Sequence, residues 1–249
     1  MATTQKPSFV IDCFPEAAER YAPDVAIVAI DVIRATTTAV TAVYTGRRCY
    51  PVPTIDSAFA LARRLHHPLL AGEIGGMKPE GFDINNSPAE IAVRTDTERP
   101  LVLLSSSGTR LMHSARRANE VYAACFRNFR AVASHLSLNH LSVALIGAGS
   151  QGEFREEDMM CCAWIAGILM RRGYVASDSR TLEIVDAWGK TSADACLVSN
   201  SVRYLMRTDQ RSDLDFILTH CDDVPLPAVV EDGEVLPYPV SEEMELVAR

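Results

Sequence analysis

The chain has 249 residues, of which 48% are hydrophobic and 22% charged, with a formal net charge of -8. That length buries a sizeable core in one large domain or two small ones, and the negative balance argues against a nucleic-acid backbone as main partner. No apolar run approaches the roughly 20 residues of a membrane span, so no membrane partner is expected.

The N-terminal stretch MATTQKPSFVIDCFPEAAER has no uninterrupted apolar core of the signal-peptide kind. The seven cysteines are scattered, with no CxxC pair. Both features read as cytoplasmic.

In chain order, Ser8 to Phe14 reads as a strand, and Pro15 opens a short helix. Pro23-Asp24 turns the chain into an apolar β-branched run, Val25 to Ile30, of the kind that forms a buried parallel strand. A helix from Thr37 to Thr45 follows and ends at Gly46. Then come a strand, Arg48 to Val52, and an amphipathic helix, Ile55 to Leu65, capped by Thr54 or Asp56. This alternation predicts a mostly parallel sheet.

Leu69 to Glu73 is a short strand ending on an acid. The next stretch, IGGMKPEGFDINNSPAEIAVR, is rich in Gly, Asn and Pro but keeps enough apolar residues for an ordered, functional loop. Ser87-Pro88-Ala89-Glu90 starts a helix inside it. Further strands are expected at Leu101 to Leu104, Glu120 to Ala124 and Leu141 to Ile146. Helices are expected at Arg110 to Ala118, from the end of the polar junction Cys125 to Asn128 through Leu136, and over Arg155 to Arg172. The remainder is more helical, with Asp213 to His220 open between helix and strand. The tail, with Pro225, Pro227, Pro237 and Pro239, is expected to wrap the surface or add an edge strand.

Three junctions share one design: an apolar strand runs into small hydroxyl residues or glycines before a helix. They are Asp31 to Thr38, Ser105 to Thr109 and Gly147 to Gly152. Backbone N–H groups at helix starts, with hydroxyls, bind phosphate or sulfonate. In open α/β sheets ligands sit at the carboxyl ends of strands. Asp31 and Arg34 are therefore candidates to reach into a site, with the threonine hydroxyls facing an anion. The competing reading is that Asp31 and the threonines only cap the helix.

Gly147-x-Gly149-x-x-Gly152 matches the dinucleotide fingerprint, so a nucleotide-binding oxidoreductase is one alternative. Glu153, Glu156, Glu157 and Asp158 follow at once and would repel a pyrophosphate, and no clear acid ends the next strand. A non-catalytic anion-binding module is the other alternative. A Walker loop fails, because Ile184 stands where the first glycine is required. A paired-aspartate phosphatase fails, because Ile33 stands two positions after Asp31. The six histidines show no metal-ligand spacing. What remains is carboxylate chemistry: Asp31, Glu73, Asp83 and Asp158 are hard oxygen donors suited to Mg²⁺, and Arg34 offers a fork for phosphate or sulfonate.

Four segments, IDVIRATTT (30–38), GEIGGMKPEGFDINNSPAE (72–90), SSSGTRLM (105–112) and GAGSQGEFREEDMMCC (147–162), resemble the 2-phosphosulfolactate phosphatases, the ComB family of coenzyme M biosynthesis. With DLDF (213–216) and Val224-Pro225, the resemblance covers essentially the whole chain. It implies a layered α/β/α fold around a mostly parallel, mixed sheet, as one domain over 1–249 or two α/β halves meeting near 136–141. It also implies Mg²⁺-dependent hydrolysis of (R)-2-phospho-3-sulfolactate or a related small phosphorylated acid, by a cytoplasmic enzyme expected to be a homodimer.

The family pattern carries onto Asp31, Arg34, Thr36, Thr37, Glu73, Gly81, Phe82, Asp83, Asn86, Ser87, Pro88, Gly108, Thr109, Asn128, Gly149 and Asp158. Asp31 is expected to ligate Mg²⁺ or orient water. Glu73 and Asp83 would share the metal or hold the loop, and Asp158 is a catalytic candidate whose rival role is to stabilise a helix start. Arg34, Thr36, Thr37, Ser107, Gly108 and Thr109 would hold phosphate or sulfonate. Asn86, Ser87, Asn128 and Gly149 complete the expected binding set. Two departures bear on substrate choice: Asn85 replaces the glycine of the usual GNSP, and Ser107 replaces the asparagine of TTNGT.

Overall fold

Element boundaries follow local chemistry. The computed structural model describes residues 6–21 and 24–238, so Pro23 and Pro239 lie outside it. The elements are β1 (Ser8–Cys13), β2 (Ala26–Ile30), α1 (Ala35–Tyr44), β3 (Cys49–Val52), α2 (Ile55–Ala62), β4 (Leu69–Gly72), α3 (Pro88–Val93), β5 (Leu101–Leu104) and α4 (Gly108–Ser114). They continue with β6 (Val121–Ala124), α5 (Phe129–Asn139), β7 (Ser142–Gly147), α6 (Glu156–Arg171), β8 (Val175–Ala176), α7 (Ser179–Trp188), α8 (Asn200–Arg207), α9 (Arg211–Thr219), β9 (Ala228–Glu231) and β10 (Glu234–Pro237).

Thr54 caps α2 in a reciprocal box with Ser57, Ser87 caps α3 ahead of Pro88, and Asp178 caps α7. Each satisfies N–H groups that a helix start leaves without partners. Asp213 to His220, open from sequence, is helical as part of α9.

The strands form one sheet in the order β4-β5-β3-β10-β9-β6-β2-β7-β1-β8. β4, β5 and β3 are mutually parallel, as are β6, β2, β7, β1 and β8. Alternate residues of a strand face opposite layers. Val28 and Ile30 pack with Cys161, Ile165 and Leu169 of α6. Ile27 and Ala29 pack with Ala39 and Val40 of α1 and Leu111 of α4. A third cluster joins Val52, Leu70 and Leu104 to Ala58 of α2. The fold is therefore a layered α/β/α arrangement, as the sequence led us to expect.

The tail corrects one expectation. β9 and β10 neither wrap the surface nor form an edge; they lie inside the sheet and join the two parallel groups. Their connection is Asp232-Gly233, with φ of 49° and 81°, the left-handed pair that suits a two-residue hairpin. β9 is antiparallel to β6, β10 to β9, and β3 to β10, so the two parallel groups run in opposite senses. Strand ends of both groups still line a single cleft. α1, buried from Ala35 to Ala42, packs against strands of both groups.

Because the hairpin is internal, a chain truncated after Pro225 is expected to lose its cooperative melt. Circular dichroism on heating checks this; an unchanged transition would show that the tail is dispensable.

Candidate active site

A cleft of about 780 Å³ opens where β2, β4, β5 and β7 end, with α8 along its other side. Asp31 follows β2 directly and is 8% exposed. Its backbone N–H donates to Thr36 Oγ1 at 3.0 Å, and that hydroxyl donates back to the Asp31 carbonyl at 2.7 Å. Thr37 Oγ1 donates to the Val32 carbonyl at 2.7 Å, and Thr38 Oγ1 to that of Arg34. Thr36 and Thr37, expected to face an anion, are fully buried and spend their hydroxyls on the turn that leads into α1. Their role is to hold the loop that aims Asp31.

Asp158, in the first turn of α6, is 2% exposed. Its Oδ1 accepts the Val32 N–H at 2.9 Å and its Oδ2 the Gly149 N–H at 3.3 Å. One carboxylate thus ties the end of β2 to the loop after β7. Gly149 N–H is a donor that a pyrophosphate docked on the glycine loop would need, and α6 begins only at Glu156. Asp178, the nearest counterpart of a ribose-binding acid, caps α7. The loop therefore does not serve as a dinucleotide cradle.

Glu73 closes a third corner. Its Oε1 accepts the Ser106 N–H at 2.7 Å, and its Oε2 accepts the Gly76 N–H at 2.6 Å and the Ser106 hydroxyl at 3.0 Å. A Cβ on Gly108 would lie 2.2 Å from Asp31 Oδ2 and 2.7 Å from Ala35 Cβ. Only glycine lets the start of α4 approach the Asp31 carboxylate so closely.

The electrostatics are unusual for a site built of carboxylates. Burial, then the charge of Glu73, pushes Asp31 from its ordinary 3.8 up to about 7. Asp158 is raised well above the ordinary range by burial and by the charge of Asp31. Glu157, buried beside it, is raised by burial as well. The positive charge of Arg34 offsets the rise at Asp31 only in part. Its Nη1 donates to Asp213 Oδ2 at 2.6 Å and to Gln210 Oε1 at 2.5 Å, its Nη2 donates to Asn85 Oδ1 at 3.4 Å, and the residue lines the cleft. Asp213 also accepts from the Ser87 hydroxyl at 2.5 Å, so Ser87 is part of the Arg34 anchor.

Of the other sequence candidates, Asn86, Ser107 and Gly149 line the cleft, and Asn86 Oδ1 is buried with no donor. Thr109 exchanges hydrogen bonds with Ser105. Asn128 bonds Cys125 N–H and the Ala123 carbonyl; neither side chain reaches the cleft. Asp83 lies elsewhere, accepting from Leu70 N–H and pairing with Arg99 beside His66 and His67. The structure therefore does not gather Asp83 with Asp31 and Glu73.

Sequence reasoning missed the basic wall of the cleft, Arg155, Arg203 and Arg207. Arg155 leans on Glu153; among the described residues, neither Arg203 nor Arg207 forms an ion pair with a carboxylate. The available signal was their spacing of four on α8, which puts both on one helix face.

A profile of the family described as 2-phosphosulpholactate phosphatase matches residues 13–229. The chain belongs to this family. Among curated relatives, one from Carboxydothermus hydrogenoformans is 37% identical over 63% of this chain and 65% of its own. One from Pseudothermotoga lettingae is 41% identical over 55% of this chain and 59% of its own. One from Deinococcus radiodurans is 32% identical over 90% of this chain and 94% of its own. All three are named probable 2-phosphosulfolactate phosphatase. In the first two the match spans less than two thirds of the relative's length, whereas the third is matched almost throughout. The family match runs from the end of β1 into β9 and so takes in every strand end that lines the cleft.

Two outcomes are expected. Gly108→Ala should displace Asp31 and lower the melting temperature; a variant as stable as wild type would contradict the close approach. The second concerns pH. A protonated Asp31 favours the fold below its ordinary value near 3.8, and that advantage is lost as pH rises through about 7. Metal-free wild type should therefore lose stability between pH 5 and pH 8, by a few degrees in melting temperature. Asp31→Asn should flatten that loss, and thermal melts at both pH values check it.

Proposed function

We propose that this chain hydrolyses (R)-2-phospho-3-sulfolactate, or a related small phosphorylated acid, to the hydroxy acid and inorganic phosphate, with Mg²⁺ as cofactor. The observation that carries this reading is the buried pair Asp31 and Asp158, with Glu73 near Asp31, whose carboxyls stay raised even though the charge of Arg34 acts to lower Asp31. Buried carboxylates that raise one another make a strong oxygen site for a divalent cation. The orphaned Asn86 Oδ1 adds a further hard donor in the same cleft. The donor set thus fits Mg²⁺, with Asp31 and Asp158 as its holders and Glu73 supporting.

When bound, Mg²⁺ would neutralise phosphate charge and lower the cost of bringing a dianion onto an acidic floor. The chain supplies the rest. Arg34, held by Asp213 and Gln210, presents Nη2 to the phosphate without losing side-chain freedom on binding. Asp31, the carboxylate whose oxygens are least tied to backbone N–H groups, takes a proton from the attacking water. Arg155, Arg203 and Arg207 face the acid end of the substrate, where a sulfonate or carboxylate needs cationic partners. The names of the relatives support the sulfonated substrate. The same reading carries a homodimer in the cytoplasm. All seven cysteines are free thiols, which suits a reducing compartment, and among the described residues no helix is long and apolar enough to cross a membrane.

Phosphate release by the purified full chain tests the reading, with phosphosulfolactate and its carboxylate analogues, with and without Mg²⁺. Turnover should require Mg²⁺ and disappear with a chelator. Asp31→Asn should cut kcat by about a thousandfold or more, the scale of losing a group that acts in the transition state. Arg203→Gln combined with Arg207→Gln should raise KM while largely sparing kcat. Ligand-induced stabilisation without any release would instead favour the binding-module alternative.

A further inference from the structure

Glu120, His135 and His140 meet at the end of β6 opposite the cleft. Glu120 precedes β6, whose first residue Val121 pairs with Ile27, while Asp31 follows the other end of β2. The length of these parallel strands separates the two places. His135 lies in α5, and His140 follows its last turn in extended conformation, with φ -130° and ψ 139°. A spacing of five, which one helix face would not align, closes on one point because the helix ends between the two residues. One oxygen of Glu120 and one ring nitrogen from each histidine all lie within 4.8 Å of one another.

The Tyr122 hydroxyl stands among these donors. It is 3.0 Å from His135 Nε2 and 2.9 Å from His140 Nε2, and it bonds the Glu120 carboxylate. His140 Nε2 is 3.0 Å from Glu120 Oε2. A tetrahedral ion with bonds of about 2.0–2.1 Å has ligand-to-ligand edges of roughly 3.3 Å, so the two Tyr122–histidine edges and the His140–Glu120 edge need to open by only a few tenths of an ångström, while the Tyr122 hydroxyl must draw back further from Glu120. His135 is buried and packs on Tyr238 with ring centres 4.1 Å apart, which fixes its ring plane. The Glu120 side chain is 35% exposed and leaves an entry path.

We propose that Glu120, His135 and His140, with the Tyr122 hydroxyl as fourth donor, bind one first-row transition dication of the Zn²⁺ type. Two imidazoles and a carboxylate form a borderline-soft set that prefers Zn²⁺ or Co²⁺ to Mg²⁺, whereas the all-oxygen cleft has the reverse preference. The ion joins the start of β6, the end of α5 and, through Tyr238, the chain after β10. Its effect is on stability, and phosphate turnover does not depend on it.

The test is a Co²⁺ titration of chelator-treated full chain in excess Mg²⁺, which occupies the cleft. One equivalent of Co²⁺ should develop a ligand-field absorption that Zn²⁺ then bleaches, and Zn²⁺ should raise the melting temperature. The Co²⁺ form should show two hyperfine-shifted, solvent-exchangeable imidazole N–H resonances, one from each histidine. Glu120→Gln and His140→Gln should each weaken binding about tenfold or more; the two-resonance count on wild type does not depend on either variant folding. Absence of a Co²⁺ band in excess Mg²⁺, or Co²⁺ affinity unchanged in well-folded variants, would overturn the proposal and leave the cluster as a hydrogen-bonded knot around a phenol.

Discussion

The carboxylate of Asp158 is the constraint on which the arrangement of the cleft depends. One oxygen fixes the chain leaving β2 at Val32 and the other fixes the loop leaving β7 at Gly149. Burying an ionised group is costly unless hydrogen bonds or an opposite charge compensate it. Asp158 has two backbone donors, but it also faces the like charge of Asp31. The chain therefore holds an electrostatic deficit at one defined point. That deficit is tolerable in a stable fold because it lies where strand ends and α4 leave room for a ligand, with Gly108 keeping the space around Asp31 open.

The topology explains how so many elements reach that point. In a simple doubly wound sheet the strand ends that share a cleft run in the same sense. Here the internal β9–β10 hairpin reverses the sense of the β4-β5-β3 group, yet the carboxyl ends of β4 and β5 line the same cleft as those of β2 and β7. The consequence is a cleft with walls of different character. β4 and β5 bring Glu73 and Ser107; β2 and α6 bring Asp31 and Asp158; α8 brings Arg203 and Arg207. Asp213 of α9 ties these walls together, since it bonds Arg34 after β2 and Ser87 before α3 at once. This pair is buried on both sides, where removing one partner is far more costly than the pair itself is stabilising.

Much of this was legible from sequence because each strand is a short apolar run stopped by a polar junction. Asp31 and Glu73 stand at such stops, and Asp158 stands in the first turn of the helix after one. Hydroxyl residues before a helix suit anions and backbone caps equally well, and the structure shows the Thr36 and Thr37 hydroxyls bonded to the backbone of their own turn. The tail was misjudged because its prolines read as an edge signal. Asp232-Gly233 between Val229-Val230 and Val235-Leu236 carried the stronger hairpin signal, but nothing local says that a hairpin will enter the middle of a sheet. The Arg203–Arg207 wall and the Glu120–His135–His140 cluster depend on long-range packing or on a helix ending at one residue. The spacing of the two arginines puts them on one helix face but does not say what that face meets, and the metal-type cluster has no periodic trace.

A negatively charged protein that handles a small polyanion must confine its positive charge to where the ligand lies. On the proposed reading the cleft does so in two ways. Its acidic floor becomes attractive to phosphate only through a divalent cation, whereas Arg203 and Arg207 on α8 are cationic without any cofactor and, among the described residues, are free of carboxylate partners. The two ends of a phosphorylated sulfonic acid differ in the same sense: the phosphate end is dianionic and reactive, the sulfonate monoanionic and inert. Separating the metal end from the arginine end by the width of the cleft would orient such a substrate by charge alone. Replacing the long amide of asparagine with the short hydroxyl of Ser107 would then alter the space between those ends without altering either set of charges.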